Sequence, residues 1–126
     1  MASDRGRGPR LRDLAATYDL YPELKRLPDI ASKAAWDIAN LVAVRPLELR
    51  KGTMLGSTLS NHTKPYNLEV CLAYMRGQLV KKCAHCVKMV GPHAECVVLP
   101  GFFKGSCTSC QYNDNGARCE HRGISL

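Results

Sequence analysis

The sequence predicts a small, mainly α-helical protein, with two amphipathic helices followed by a cysteine-rich, metal-stapled knot that has little regular structure. Three observations predict it. Six of the seven cysteines fall in the last third of the 126 residues, in the pattern C-x2-C-x9-C-x10-C-x2-C-x8-C. Two stretches ahead of them carry apolar residues at helical spacing. The hydrophobic fraction is 45 %, but one Trp, five Tyr and two Phe are too few for a large core, so a staple is expected in the C-terminal part.

In chain order, residues 1–12 read as a flexible basic tail, with Arg5, Arg7, Arg10 and Arg12 around Pro9. A solvated terminus is the favoured reading, and a phosphate-binding arm is the other. Residues 13–80 form the helical region. A short helix is expected around Leu14, Ala15, Tyr18 and Leu20, interrupted at Pro22 and Pro28. A better one opens at Pro28-Asp29, carries the stripe Ile30, Ala34, Ile38, Leu41 and Val42, and stops before Arg45-Pro46; Trp36 lies off that stripe. Lys51 to Pro65 is rich in Gly, Ser, Thr, Asn and Pro and reads as a loop containing His62. The next helix is expected over about Tyr66–Met75, with Leu68, Cys71, Leu72, Met75 and Leu79 on one face and Gly77 ending it. Cys71 falls on this stripe and is read as a buried core thiol. Residues 81–122 are the Cys-rich module, and 123–126 a short tail.

The module holds Cys83-Ala-His-Cys86, Cys96, Cys107-Thr-Ser-Cys110 and Cys119, an internal repeat of knuckle and single cysteine. A C-x2-C knuckle lets two thiolates from one tight turn reach one ion, and zinc takes four such ligands tetrahedrally. Six thiolates satisfy two Zn²⁺ if two of them bridge, and Gly91-Pro92 and Asn115-Gly116 would turn the chain back to deliver Cys96 and Cys119. One zinc is the alternative: Cys83, Cys86, Cys107 and Cys110 have the spacing of a zinc ribbon. Three disulfides in a secreted, disulfide-rich structural protein are the third reading. The polar, Arg-rich N-terminus without an apolar segment argues against a secretory signal, and so for a reducing, intracellular compartment. Two Zn²⁺ per chain are favoured. His62, His85, His93 and His121 are read as surface residues or as neighbours of ligands.

Over about 40 residues the pattern resembles the binuclear (Zn₂Cys₆) cluster of fungal transcription factors. That resemblance implies that the first and fourth cysteines, Cys83 and Cys107, bridge the metals, and it implies a nuclear protein. The interval from Cys86 to Cys96 departs from the family: it runs nine residues rather than about six, holds Lys88 as its one strong cation, and includes Glu95. A closer resemblance is to an uncharacterised family of fungal Cys-rich domains. It rests on Cys83-Ala-His-Cys86, Gly91-Pro92, Cys96-Val97-Val98, Gly105-Ser106-Cys107-Thr-Ser-Cys110, Tyr112-Asn113 and Arg118-Cys119 with Arg122. His93 and His121 stand where that family is expected to carry aromatic residues. The resemblance implies a fungal source and a zinc module, and no activity.

The formal charge is +7, from 18 Lys and Arg against 11 Asp and Glu. Six thiolates on two Zn²⁺ would lower it to about +5. The excess is diffuse and permits nucleic-acid contact without demanding it. Candidate contacts are Lys88, Lys104, Arg118 and Arg122, enough for weak, salt-sensitive, largely nonspecific DNA binding. A protein partner is favoured instead, on the apolar run Val97, Val98, Leu99, Phe102 and Phe103 read as a partner surface.

No enzyme is expected. A catalytic zinc keeps an open position beside an acid–base group, and the deaminase-type Pro-Cys-x-x-Cys motif is missing from the sequence. So are a Gly-rich phosphate loop, a nucleophile elbow, an apolar run long enough for a membrane span, and a coiled-coil heptad after the cluster. No small-molecule substrate is evident. Chelation is expected to unfold residues 83–122 and to spare the helices.

Overall fold

In a computed structural model, the structure describes residues 11–29, 31–53, 66–88, 91–112, 119 and 121. The tail over residues 1–10, Ile30, the loop over 54–65 with His62, Asn113, Asn115-Gly116, Arg118, Arg122 and the 123–126 tail lie outside the described residues. The elements run α1 (Leu11–Leu20), α2 (Lys33–Ala39), α3 (Tyr66–Tyr74), β1 (Gln78–Leu79), α4 (Ala84–Val87), β2 (Val97–Val98) and α5 (Thr108–Gln111), with 3₁₀ turns at Pro22–Leu24 and Phe103–Gly105. No helix among the described residues is long and apolar enough to cross a membrane.

α1 ends at Leu20, and Pro22 opens a 3₁₀ turn, the break that a proline without an N–H imposes. Leu14 and Tyr18 pack on the core, whereas Leu20 is exposed. α2 starts at Lys33, later than Pro28-Asp29 suggests. Ser32 caps it, its hydroxyl accepting from the Ala35 N–H at 3.1 Å and donating to Glu69 Oε2 of α3 at 2.7 Å. Ala35 and Ile38 are buried, but Leu41 and Val42 are exposed, the latter at 81 %. The helix has ended by then: Asn40 closes it, and the Val44 and Arg45 N–H groups turn to the Met75 carbonyl at 2.7 and 3.2 Å. Arg76 fastens this corner, donating from Nε to the Leu41 carbonyl at 2.9 Å and from an Nη to that of Ala39 at 3.4 Å. A guanidinium there satisfies orphan carbonyls at a helix end, where positive charge is favoured.

α3 is the hub. The stripe Leu68, Cys71, Leu72 and Met75 is buried, and so are Asn67, Val70, Ala73 and Tyr74 between them. A helix buried on nearly every side must be covered on nearly every side. α2 packs on it from the N-terminal half, and α5 and β2 from the Cys-rich segment. Gly77 follows the helix, its N–H bonded to the Ala73 carbonyl at 2.8 Å. β1 then pairs antiparallel with β2, Gln78 opposite Val98 and Leu79 opposite Val97. Leu79, expected on the buried stripe, is 60 % exposed because the chain has left the helix and become a strand.

The apolar run read as a partner surface belongs to the interior. Val97, Val98 and Leu99 are buried, and Phe102 and Phe103 are half-buried against the core that Leu99 shares with α2 and α3. Strand pairing to β1 and packing on α3 consume this segment. Residues 48–50 run along 92–94, with Leu49 bridged to His93, Ala94 N–H bonded to the Glu48 carbonyl at 2.9 Å, and Arg50 N–H bonded to that of Pro92 at 2.8 Å.

Candidate metal centre

Each knuckle is one turn of helix with a cysteine just before it and another three residues on. Cys83 precedes α4 with φ −72° and ψ 171°, and Cys107 precedes α5 with φ −71° and ψ 157°. The i, i+3 spacing brings Cys86 beside Cys83 and Cys110 beside Cys107. The same backbone bond closes both turns, Val87 N–H to the Cys83 carbonyl at 2.9 Å and Gln111 N–H to the Cys107 carbonyl at 3.0 Å. The repeat read in the sequence is thus a repeat in backbone geometry.

Two lone cysteines complete the set. Cys96 is pinned where its carbonyl accepts from the Val80 N–H at 2.9 Å. Cys119 lies over the second knuckle, its sulfur accepting from the Cys107 N–H at 3.3 Å. The six sulfurs form two overlapping quartets, Cys83, Cys86, Cys96, Cys107 and Cys83, Cys107, Cys110, Cys119, each with its donor atoms within 4.8 Å of one another. Cys83 and Cys107 belong to both. All six cysteines are buried, none more than 5 % exposed, and all are free thiols.

The spacing suits ligands around an ion. Bonds of ~2.3 Å to tetrahedral corners put sulfurs ~3.8 Å apart. Here Cys83 and Cys110 are 3.5 Å apart, Cys86 and Cys107 3.7 Å, and Cys83 and Cys107 4.0 Å. The electrostatics point the same way. Sulfurs this close cannot all be thiolates without a cation among them, so the protons are shared unevenly. Contact with Cys107 holds Cys86 and Cys119 far below an ordinary thiol, while contacts with Cys110 and then Cys119 push Cys107 up. A soft divalent cation removes the conflict by taking the place of the protons.

Cys71 stands apart, as its place on the α3 stripe predicts. It is fully buried, and desolvation pushes its thiol well above the ordinary range. Its sulfur lies 3.5 Å from His93 Nε2, whose Nδ1 lies 2.9 Å from the hydroxyl of Thr108 inside the second knuckle. His93 is itself fully buried, its ring 4.7 Å from that of Tyr74, and burial pulls its pKa down to about 3. It is neither a surface residue nor a member of the quartets. It fills an aromatic-like position in the core and ties α3 to the centre. The sequence signal for that was its standing where an aromatic residue was expected.

Of the other histidines, His85 lies with Nδ1 3.7 Å from the Cys110 sulfur, and His121 Nε2 lies 2.7 Å from the Lys81 carbonyl. Both accompany ligands, as expected. Gly91 adopts φ +89°, and any Cβ there would collide with the Ser109 hydroxyl and backbone, so this turn brings the first half of the repeat directly onto the second knuckle. Lys88 and Lys104 are exposed; Lys104 has left-handed backbone, φ 55°. The roles of Arg50 and Arg76, both bonded to backbone carbonyls, carry no motif and were not visible in the sequence.

The architecture and the centre together define a small helical protein with a buried Cys-rich centre that can hold metal. Residues 70–122, which include α3 from Val70 onward and all six clustered cysteines, match the model of a family described as "Protein of unknown function (DUF3716)". No curated protein and no solved structure matches the chain.

Proposed function

We propose that the chain is a non-enzymatic zinc module of a fungal protein, with two Zn²⁺ held by Cys83, Cys86, Cys96, Cys107, Cys110 and Cys119 and with Cys83 and Cys107 bridging. The observation that carries it is the pair of sulfur quartets sharing those two residues. An all-sulfur donor set favours zinc over magnesium or calcium, which take oxygen. Four buried thiolates around each ion leave no open coordination position, which supports a structural centre over a catalytic one.

The module acts by binding, as a nuclear regulatory or interaction domain; the resemblance to zinc-cluster transcription factors supports the compartment. A protein partner remains the favoured class. With Val97–Leu99 buried, that reading draws instead on Trp36, exposed on α2, and on Leu41, Val42 and Val44, exposed beyond its end. The alternative, a DNA-binding regulator, has Lys88 and Lys104 as its exposed candidates among the described residues.

The deciding experiment is elemental analysis and native mass spectrometry of protein purified under reducing conditions without added zinc. Two zinc ions per chain and six unmodified thiols are expected. One zinc per chain, or three disulfides, overturns the reading.

A further inference from the structure

Where residues 48–50 run along 92–94, a cavity of about 470 Å³ lies beside the first knuckle. Leu49 and Ala94 line it from the paired segments, and Cys86 and Val87 line it from the knuckle. Val87 is 67 % exposed, so this side of the knuckle reaches solvent. Cys86 is the one member of the two sulfur quartets that lines this cavity. Its sulfur lies 3.7 Å from that of Cys107, which belongs to both quartets. A peroxide molecule is little larger than a water, whose share of liquid volume is about 30 Å³, and such a space admits it easily.

We propose that Cys86 is a modification site for peroxide, reached through this cavity, and that it closes a disulfide with Cys107 which disarms both quartets. The inference rests on the reading of the six sulfurs as ligands of one centre. The Cys86 sulfur attacks one peroxide oxygen, the O–O bond breaks, and the departing hydroxide takes a proton to become water. The Cys107 sulfur then attacks the sulfenic sulfur, the S–O bond breaks, and the second hydroxide leaves as water. Two thiolates lose two electrons, and one peroxide and two protons become two waters. The two sulfurs must close from 3.7 Å to about 2.05 Å, a movement between two one-turn helices. The new bond takes two ligands from one quartet and one from the other. Exposure alone would favour Cys119, at 5 % against 2 % for Cys86. But the Cys119 sulfur accepts the Cys107 N–H at 3.3 Å, which draws electron density from it, and it serves a single quartet.

The test uses the full chain, purified under reducing conditions and freed of reductant, with its metal content measured first. One equivalent of hydrogen peroxide is added, metal release is followed with a coloured chelator, and the thiols are mapped by differential alkylation and mass spectrometry. A Cys86–Cys107 linkage should be the first to form, with loss of metal from both quartets. Ala94→Leu narrows the cavity and touches no sulfur ligand, so peroxide-driven release should slow about fivefold or more at unchanged metal content. Val42→Ala, which lines no part of the cavity, should behave as the native chain does. First oxidation at Cys119, a first disulfide without Cys86, resistance to peroxide, or an unchanged rate in Ala94→Leu would each overturn the proposal. If Ala94→Leu does not keep its metal, the order of oxidation in the native chain decides alone. A chain that holds one ion and still forms Cys86–Cys107 first fails the two-ion reading and keeps this one.

Discussion

Cys107 is the residue on which most contacts in the centre converge. It precedes α5, stands 3.7 Å from Cys86 and 4.0 Å from Cys83, and its N–H reaches the Cys119 sulfur. If it serves two ions, Cys107→Ser must release both, whereas Cys119→Ser, in one quartet only, should leave one. Metal-to-protein ratios of the two variants in native mass spectra check this; equal losses would remove Cys107 from the bridge.

His93 makes a second prediction at this scale. Its folded pKa of about 3 lies below the ordinary 6.5 because burial penalises the imidazolium, with the nearby Arg50 adding to the effect. Below pH 6.5 the unfolded chain takes up a proton that the folded chain refuses, so stability falls as pH drops from 6.5 towards 3. Between pH 7.5 and 5.5 the loss from this residue is about 1.4 kcal/mol. His93→Gln lacks that contribution, so the stability gap between native chain and variant should narrow by about this amount over the same interval. Urea unfolding at the two pH values measures it, and acid release of metal, common to both proteins, cancels. A gap independent of pH would mean that His93 titrates normally.

Among the elements, the turn at Gly91 and the one at Gly101 offer a matched comparison. Both adopt φ +89°, but an added Cβ meets Ser109 at Gly91 and open space at Gly101. Gly101→Ala should therefore cost only the left-handed backbone term, about 1–2 kcal/mol. Gly91→Ala should cost clearly more, because the obstacle includes Ser109 backbone that cannot rotate away. Thermal or urea midpoints of the two variants give the difference, and equal midpoints would show that the close approach is relieved without cost. The knuckle helices were legible in part: C-x2-C announced two turns with paired thiols, and the repeat held in detail. The extent of α2 was not. Leu41 and Val42 continue its apolar period, but Asn40, Arg76 and the Met75 carbonyl end the helix before them. Such a stop depends on residues more than thirty positions away, which no local pattern contains.

At the scale of the whole molecule, α3 decides how the halves depend on each other. Its residues are buried on one side by α2 and on the other by α5 and β2, and Leu99, Phe102, Phe103 and Tyr112 of the Cys-rich segment enter the core it anchors. The sequence alone suggested that helices would outlast chelation. The packing argues otherwise: if a metal holds the knot together, removing it would withdraw half the cover of a helix that has almost no polar face. Chelation should expose the α3 amides to hydrogen exchange together with those of α4 and α5. Retention of slow exchange in α3 while α4 and α5 exchange freely would restore the view of two separable parts.

The sequence by itself determined the metal-type centre, because ligand chemistry is local: thiols three positions apart on a turn, repeated, fit few other purposes. It also determined that Cys71 is not one of the set, and that a helix covers Tyr66 to Tyr74. Only the tertiary structure decided which apolar residues face water. Val97 to Leu99 and Val42 are equally hydrophobic as letters, yet the first three are covered by strand pairing and α3 while Val42 is left outside. The same holds for His93, buried between Cys71, Tyr74 and Thr108, and for Arg50 and Lys82, brought to one cavity from either side of α3. Burial and charge clustering are sums over contacts distant in sequence, and they come into being only when the chain closes on itself.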